Sequence, residues 1–143
     1  MYKRQGGKCY NNLIENGIPS LLKIDIPVSH IVYHQGERDN FLGTSCDDYV
    51  EAFDPLHVLL RNEFHDAPII VCTASYRKGV TSNEIRNAQQ QIQTTKDNCY
   101  VGVDTDLFGE EFRFDNTHFN SKGLNAFAHA LFDIVQNIPT NEI

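Results

Sequence analysis

Long apolar runs are missing. Nothing in the 143 residues approaches the roughly 20 consecutive apolar residues that a membrane helix needs, and Met1-Tyr2-Lys3-Arg4-Gln5 lacks the hydrophobic core of a signal peptide. No membrane partner is expected. Basic residues are scarce: twelve Lys and Arg against nineteen Asp and Glu leave a net charge of −7, so non-specific attraction to a phosphate backbone is not expected, nor is nucleic acid as a partner. Closely paired cysteines are also absent. Cys9, Cys46, Cys72 and Cys99 are too widely spaced for a zinc ribbon or a redox dithiol, and free thiols are expected, with Cys72 and Cys99 acting as small hydrophobes in apolar runs. Internal repeats and low-complexity tracts are lacking. An apolar share of 41% and a charged share of 22% fit one globular domain and exclude disorder, collagen and coiled coil.

What is present alternates between two periods. Cys9 to Asn16, stopped by Gly17 and followed by Pro19, reads as a short helix. Ile24 to His34 is a nearly continuous β-branched run, which predicts a strand buried on both faces. Tyr49, Phe53, Leu56, Leu60 and Phe64 recur at helical spacing around Pro55, which must kink the helix or begin a new one. Pro68 to Ala74 predicts a second buried strand. Thr81-Ser82-Asn83-Glu84 has the form of a capping box, predicting a helix to about Thr95 that buries Ile85, Ala88 and Ile92. Cys99 to Val103 is a third strand, and Leu124, Phe127, Ala128, Leu131, Phe132 and Val135 form an apolar stripe on a last helix from about Ser121 to Gln136. Apolar strands alternating with helices predict an α/β fold with a parallel sheet covered on both faces. Ligands of such sheets bind beyond the carboxyl ends of the strands. Those positions hold His34-Gln35-Gly36-Glu37, Ser75-Tyr76-Arg77 and Asp104-Thr105-Asp106.

Two of these places carry a recognisable chemistry. In Asp115-Asn116-Thr117-His118 one turn folds the aspartate back onto the imidazole; an aspartate accepting from Nδ1 fixes the tautomer and leaves Nε2 to take a proton from a nucleophile. The alternative is a loop aspartate capping its own turn beside a surface histidine. In His34-Gln35-Gly36-Glu37 a glycine permits tight backbone geometry and a glutamine amide can donate to an oxyanion. His30 and His34 stand about 13 Å apart on a strand and cannot share a metal. His57, His65 and His129 read as solvated helix residues. Asp104 and Asp106 either cap a loop or bind a cation, with capping favoured; Ser75 and Ser82 lie outside any Gly-x-Ser-x-Gly elbow and read as turn or cap residues. Gln89-Gln90-Gln91 reads as a helix face. No cofactor and no metal are expected.

Tyr33-His34-Gln35-Gly36-Glu37-Arg38-Asp39, followed some eighty residues later by Arg113-Phe114-Asp115-Asn116-Thr117-His118-Phe119, resembles the SGNH-type carbohydrate esterases of the sialate O-acetylesterase group. Those proteins read Trp-His-Gln-Gly-Glu-Ser-Asp and Asp-x-x-His-Phe in the two blocks. Ala67 to Val71, Arg86-Asn87-Ala88-Gln89 and Gly102 to Asp106 resemble the family's connecting segments, and the likeness spans about residues 6 to 135. It implies a three-layer α/β sandwich with a parallel sheet, the flavodoxin-like SGNH hydrolase fold, truncated at the amino end. It also implies hydrolysis of a carboxylic ester, with removal of O-acetyl groups from a carbohydrate as the expected reaction. By the same likeness His118 is the base, Asp115 its partner and Gln35 an oxyanion donor. Glu37 matches a family residue that either supports the histidine or braces the loop. Arg38 departs from the family serine and places a long cation beside the site.

The family's Gly-x-Ser block and its oxyanion glycine belong upstream of these blocks and have no counterpart here; Gly6-Gly7 resembles a later glycine pair. Residues 1–5 are what GTG-TAT-AAG-AGA-CAG encodes, the end of a transposon adapter. They are therefore expected to be non-native, with 6–143 the carboxyl-terminal part of one SGNH domain whose nucleophile lies outside this chain. The alternative to an esterase is a carbohydrate-binding or phage structural module that keeps the fold without the nucleophile.

Overall fold

The computed structural model describes residues 7–24 and 26–138. Helix α1 (Lys8–Asn12) runs through a π-helical turn (Leu13–Gly17) into α2 (Ile18–Leu22). The expected stop at Gly17 does not occur. Gly17 takes right-handed helical angles, and Pro19 sits in the first turn of α2, directly after the π-helical turn. The first strand, β1 (Ile31–Tyr33), is far shorter than the predicted Ile24 to His34. Its ladder opens only where Ile31 donates to the carbonyl of Pro68, and Pro27 has no N–H to extend it backwards. Nor is it buried on both faces: Val32 is 41% exposed, because β1 lies at the edge of the described sheet.

Helices α3 (Glu37–Leu42) and α4 (Cys46–Glu63) follow, and α4 passes through Pro55 without a new start. Ser45 caps α4, accepting from the Asp48 N–H. Strand β2 (Ile69–Thr73) is the centre of the sheet, with Ile69 to Cys72 all fully buried as the unbroken apolar run requires. Helix α5 (Asn83–Thr95) starts one residue later than the capping box suggests. Ser82 accepts from Ile85, while Glu84 reaches across to the first N–H of α4 at Cys46, 3.0 Å away. Strand β3 (Cys99–Asp104) and helix α6 (Ser121–Val135) complete the chain, separated by two 3₁₀ turns (Thr105–Leu107 and Glu110–Phe112).

The three strands are parallel in the order β1-β2-β3, with Val32 opposite Ile70 and Ile70 opposite Tyr100. Ile69 and Val71 face α4 and α5 and pack with Tyr49, Phe53, Leu60, Ile85, Ala88 and Ile92 in one core. Pleating turns Ile70 and Cys72 to the opposite face, the side on which Phe127 of α6 meets His34. The fold is thus α/β with helices on both sides of a parallel sheet. Burial on that second side is thin: Leu124 and Phe132, both on the α6 stripe, are more than half exposed. All four cysteines are free thiols, and burial pushes Cys72 and Cys99 up to about 11, which keeps them protonated and unreactive.

Candidate active site

Parallel strands end on the same side, so His34, Ala74 and Thr105 leave the sheet together. At the end of β1, Gly36 has no room for a side chain: a Cβ there would stand 1.8 Å from the Ala74 carbonyl oxygen and 2.8 Å from Gln89 Nε2. That contact draws the first two strand ends together. Gln89, fully buried on α5, bridges them; its Oε1 accepts from the Ala74 N–H (3.0 Å) and its Nε2 donates to the carbonyls of Ala74 (3.0 Å) and Gln35 (2.9 Å). Tyr49 adds a 2.5 Å bond to the same Gln35 carbonyl.

The Gln35 backbone is therefore fixed, and its side chain is aimed by a carboxylate. Gln35 Nε2 donates to Asp39 Oδ2 at 2.6 Å; Asp39 is buried one helical turn further on and also accepts from the Thr44 hydroxyl. A primary amide has two N–H groups. The bond to Asp39 uses one and leaves the other available. Glu37 accepts from the Gly36 N–H at 3.1 Å, a bond to the loop, and none joins it to His118.

His34 is held away from proton chemistry. Its Nε2 lies 3.0 Å from Thr105 Oγ1, whose own hydroxyl donates to the Thr73 carbonyl, so the network assigns the proton to Nε2. Burial, with a smaller push from Arg113, lowers its proton affinity against the opposing pull of Glu37 and Asp106. Packed on Phe119 and Phe127, it ties β1 to the loop beyond β3 and to α6.

The second block forms a closed loop. Arg113 and Phe119 pair as an antiparallel bridge, Phe114 N–H donates to the His118 carbonyl at 3.0 Å, and Asn116 takes the left-handed conformation that asparagine tolerates. Inside it, Asp115 Oδ1 accepts from the N–H groups of Thr117 (3.0 Å) and His118 (2.7 Å), and Asp115 Oδ2 lies 2.7 Å from His118 Nδ1. Facing an ionised carboxylate, Nδ1 must carry the proton, which leaves the Nε2 lone pair bare. Nε2 has no partner among the described residues. The hydrogen bonds from His118, backbone then side chain, hold the Asp115 carboxyl down to about 2. Since the folded value lies below the usual one of about 3.9, this pairing is fully present above about pH 4 and lost as pH falls through about 2. A carbon-detected NMR titration should place the Asp115 midpoint near 2; a midpoint near 4 would mean the carboxylate is not held in this way.

Arg113 anchors the loop from below. Only 6% exposed, its guanidinium donates to the carbonyls of Phe108 (3.0 Å), Thr105 (2.8 Å) and Thr117, between the rings of Tyr76 and Phe119. Tyr76 also donates to Asn116 Oδ1, and the Lys78 N–H to the Asn116 carbonyl, each at 2.7 Å. Neighbouring polar residues are structural. Asp106 accepts from the Ser75 N–H and hydroxyl and from the Tyr76 N–H, Asp104 caps its own turn, and Arg86 binds both carboxylates. Ser75 and Ser82 are turn and cap residues as expected. His57 and His129 lie on helices, but His65 lies past the end of α4, paired with Asp66.

The two blocks meet in a cleft of about 530 Å³, lined by Gln35, Glu37, Arg38, Arg77, Thr117 and His118 and walled by Cys9 and Tyr10 of α1, Leu13 of the π-helical turn and Leu56 of α4. That size suits a small ligand. No serine lines it. Three supporting residues escaped the sequence reading: Asp39, Gln89 and Arg113. Gln89 left one trace, a polar residue on the buried stripe of Ile85, Ala88 and Ile92.

A family described as "Carbohydrate esterase, sialic acid-specific acetylesterase" matches the chain over residues 1–137. No curated protein and no solved structure matches it.

Proposed function

Since this chain belongs to the sialic acid-specific acetylesterase family of carbohydrate esterases, we propose that its cleft cleaves O-acetyl groups from sugars by a serine mechanism, with the serine contributed from outside the 143 residues. The observation that carries this reading is the 2.7 Å pairing of Asp115 Oδ2 with His118 Nδ1 at the rim of a cleft that also holds Gln35. The second half is supported by serines committed to the fold: Ser75 donates to Asp106, Ser82 caps α5 and Ser45 caps α4.

In this mechanism the serine oxygen bonds to the ester carbon while His118 Nε2 takes the hydroxyl proton. The carbonyl oxygen gains the negative charge, and the free N–H of Gln35 donates to it. As the tetrahedral centre collapses, the sugar oxygen leaves with the proton from Nε2, and water then releases acetate by the same route in reverse. Asp115 keeps the imidazole in the tautomer that both halves require. Glu37 braces the turn that carries Gln35.

Gln35→Ala, made in the protein that includes the serine segment, should lower kcat on an acetylated sugar about 10²- to 10³-fold, as removal of other oxyanion donors does. An unchanged kcat would remove Gln35 from the mechanism. Gly36→Ala tests the scaffold beneath it. With a backbone oxygen at 1.8 Å, the substitution should destabilise that protein by about 3 kcal/mol or more in urea unfolding; an unchanged midpoint would show that the strand ends are not closely packed there.

A further inference from the structure

The loop that carries Asp115 and His118 also holds out a ring that the fold leaves outside. Phe114 is 71% exposed, more than any other phenylalanine of the chain. Its place in the loop is set by its backbone, whose N–H donates to the His118 carbonyl. Arg113 and Phe119, which bridge the loop, turn inward instead, Arg113 to its buried anchor and Phe119 onto His34. The other exposed phenylalanines are accounted for: Phe41 lies against the guanidiniums of Arg38 and Arg77, and Phe132 belongs to the stripe of α6. Phe114 has one ring contact among the described residues, and it is with the base. Its centroid lies 5.8 Å from that of His118, with the two planes 21° apart.

An isolated apolar side chain on a surface calls for no explanation. One stacked on the base does, because the reaction fixes what comes there. His118 Nε2 hands its proton to the leaving sugar oxygen, which puts that oxygen about 3 Å from Nε2 at the moment of transfer. The ring that bears the oxygen then lies within reach of Phe114. A pyranose carries hydroxyls around its edge and, where its hydrogens are axial, an apolar C–H face close to a phenyl ring in size. Those C–H groups are slightly positive and an aromatic face is slightly negative, so the two surfaces attract as well as shed water. We propose that Phe114 is a platform for the C–H face of the leaving sugar, so that the site selects esters carried on a pyranose ring over esters of open-chain polyols. This rests on reading the cleft as the ester site. It adds a binding surface on the far side of the base, outside the cleft that Gln35 and His118 line.

The test uses the protein that includes the proposed serine segment and compares two esters of one acyl group, mono-O-acetylated methyl β-glucopyranoside and mono-O-acetylated sorbitol. Both carry several hydroxyls, and only the first has a rigid ring face. The unsubstituted protein should favour the ring ester. Phe114→Ala should lower the ring-to-chain ratio of kcat/KM about 3- to 10-fold, through the KM of the ring ester rather than through kcat, whereas Phe114→Tyr, which keeps the aromatic face, should preserve the ratio. A ratio unmoved by Phe114→Ala overturns the proposal. So does an equal loss of kcat on both esters, which would make Phe114 a support for the His118 ring and nothing more. Binding of unesterified methyl β-glucopyranoside, followed by NMR at the Phe114 ring protons with sorbitol as the control, separates this from the esterase reading. Shifts that the glucoside produces and sorbitol does not, with weaker binding in Phe114→Ala, uphold the platform even if neither ester is cleaved. Ring protons unmoved by the glucoside, or equal binding by Phe114→Ala and the unsubstituted protein, overturn it.

Discussion

His118→Ala should lower kcat on an acetylated sugar by roughly 10⁴- to 10⁶-fold in a protein that includes the proposed serine segment, the range seen when the base of a serine triad is removed. The size follows from the geometry. His118 Nε2 has no partner among the described residues, while His34 has its Nε2 proton tied to Thr105 and its charge disfavoured by burial. Asp115→Asn should cost about 10⁴ with little change in KM, because an asparagine amide can present N–H toward Nδ1 and so favours the wrong tautomer. Steady-state kinetics of the two variants decide the assignment. A rate within tenfold of the original for His118→Ala would remove the pair from the mechanism and leave Asp115 as the cap of its own turn.

The second large effect concerns the chain by itself. Expressed as 143 residues, it should aggregate or unfold without a cooperative transition. β1 pairs on one side only among the described residues and shows Val32 to solvent; Val101 on the opposite edge strand is 62% exposed. Apolar edges without a lysine or proline in the strand are templates for pairing with another chain. Leu124 and Phe132 on α6, with Ile26 before β1, add exposed apolar surface on the same molecule. Leaving several large side chains out of the core forfeits about 1.5–3 kcal/mol for each, and the whole stability of a domain is only about 5–15 kcal/mol. Joining the segment proposed to carry the serine should restore a sharp transition. Size-exclusion chromatography and thermal melting of the two forms make the comparison. A monomeric 143-residue chain with two-state melting would contradict it.

Much of the fold was legible because burial and periodicity agreed. Ile69 to Cys72 is apolar throughout and occupies the central strand; Ile85, Ala88 and Ile92 repeat at helical spacing and are all fully buried. Legibility failed where tertiary context set the outcome. Ile24 to His34 has the composition of a buried strand, yet a strand needs a partner along its whole length, and β2 offers one only from Ile69 onward. Gly17 stops a helix only when it turns left-handed, and here the chain continues through it. In the site, Asp115 and His118 were visible because both partners sit three residues apart. The loop's anchor was not. Arg113 binds three carbonyls, two on the turn after β3 and one within its own loop, and its residue type alone carries no sign of those contacts. The same holds for Gln89, which looked like one of three equivalent glutamines until the sheet placed it between two strand ends.

On the mechanism proposed here, the cleft holds a base and an oxyanion donor for a serine that lies outside the 143 residues. Acyl trapping tests this directly: the chain alone, and the chain joined to the segment proposed to carry the serine, are each incubated with an activated acetyl ester, quenched and mapped by peptide mass spectrometry. No acetyl should be retained on the chain alone, and the longer protein should carry a single acetyl on a serine outside residues 1–143 whose formation requires His118. Acetyl retained within the 143 residues, on Ser75, on Ser82 or on Cys9 at the cleft wall, would contradict it.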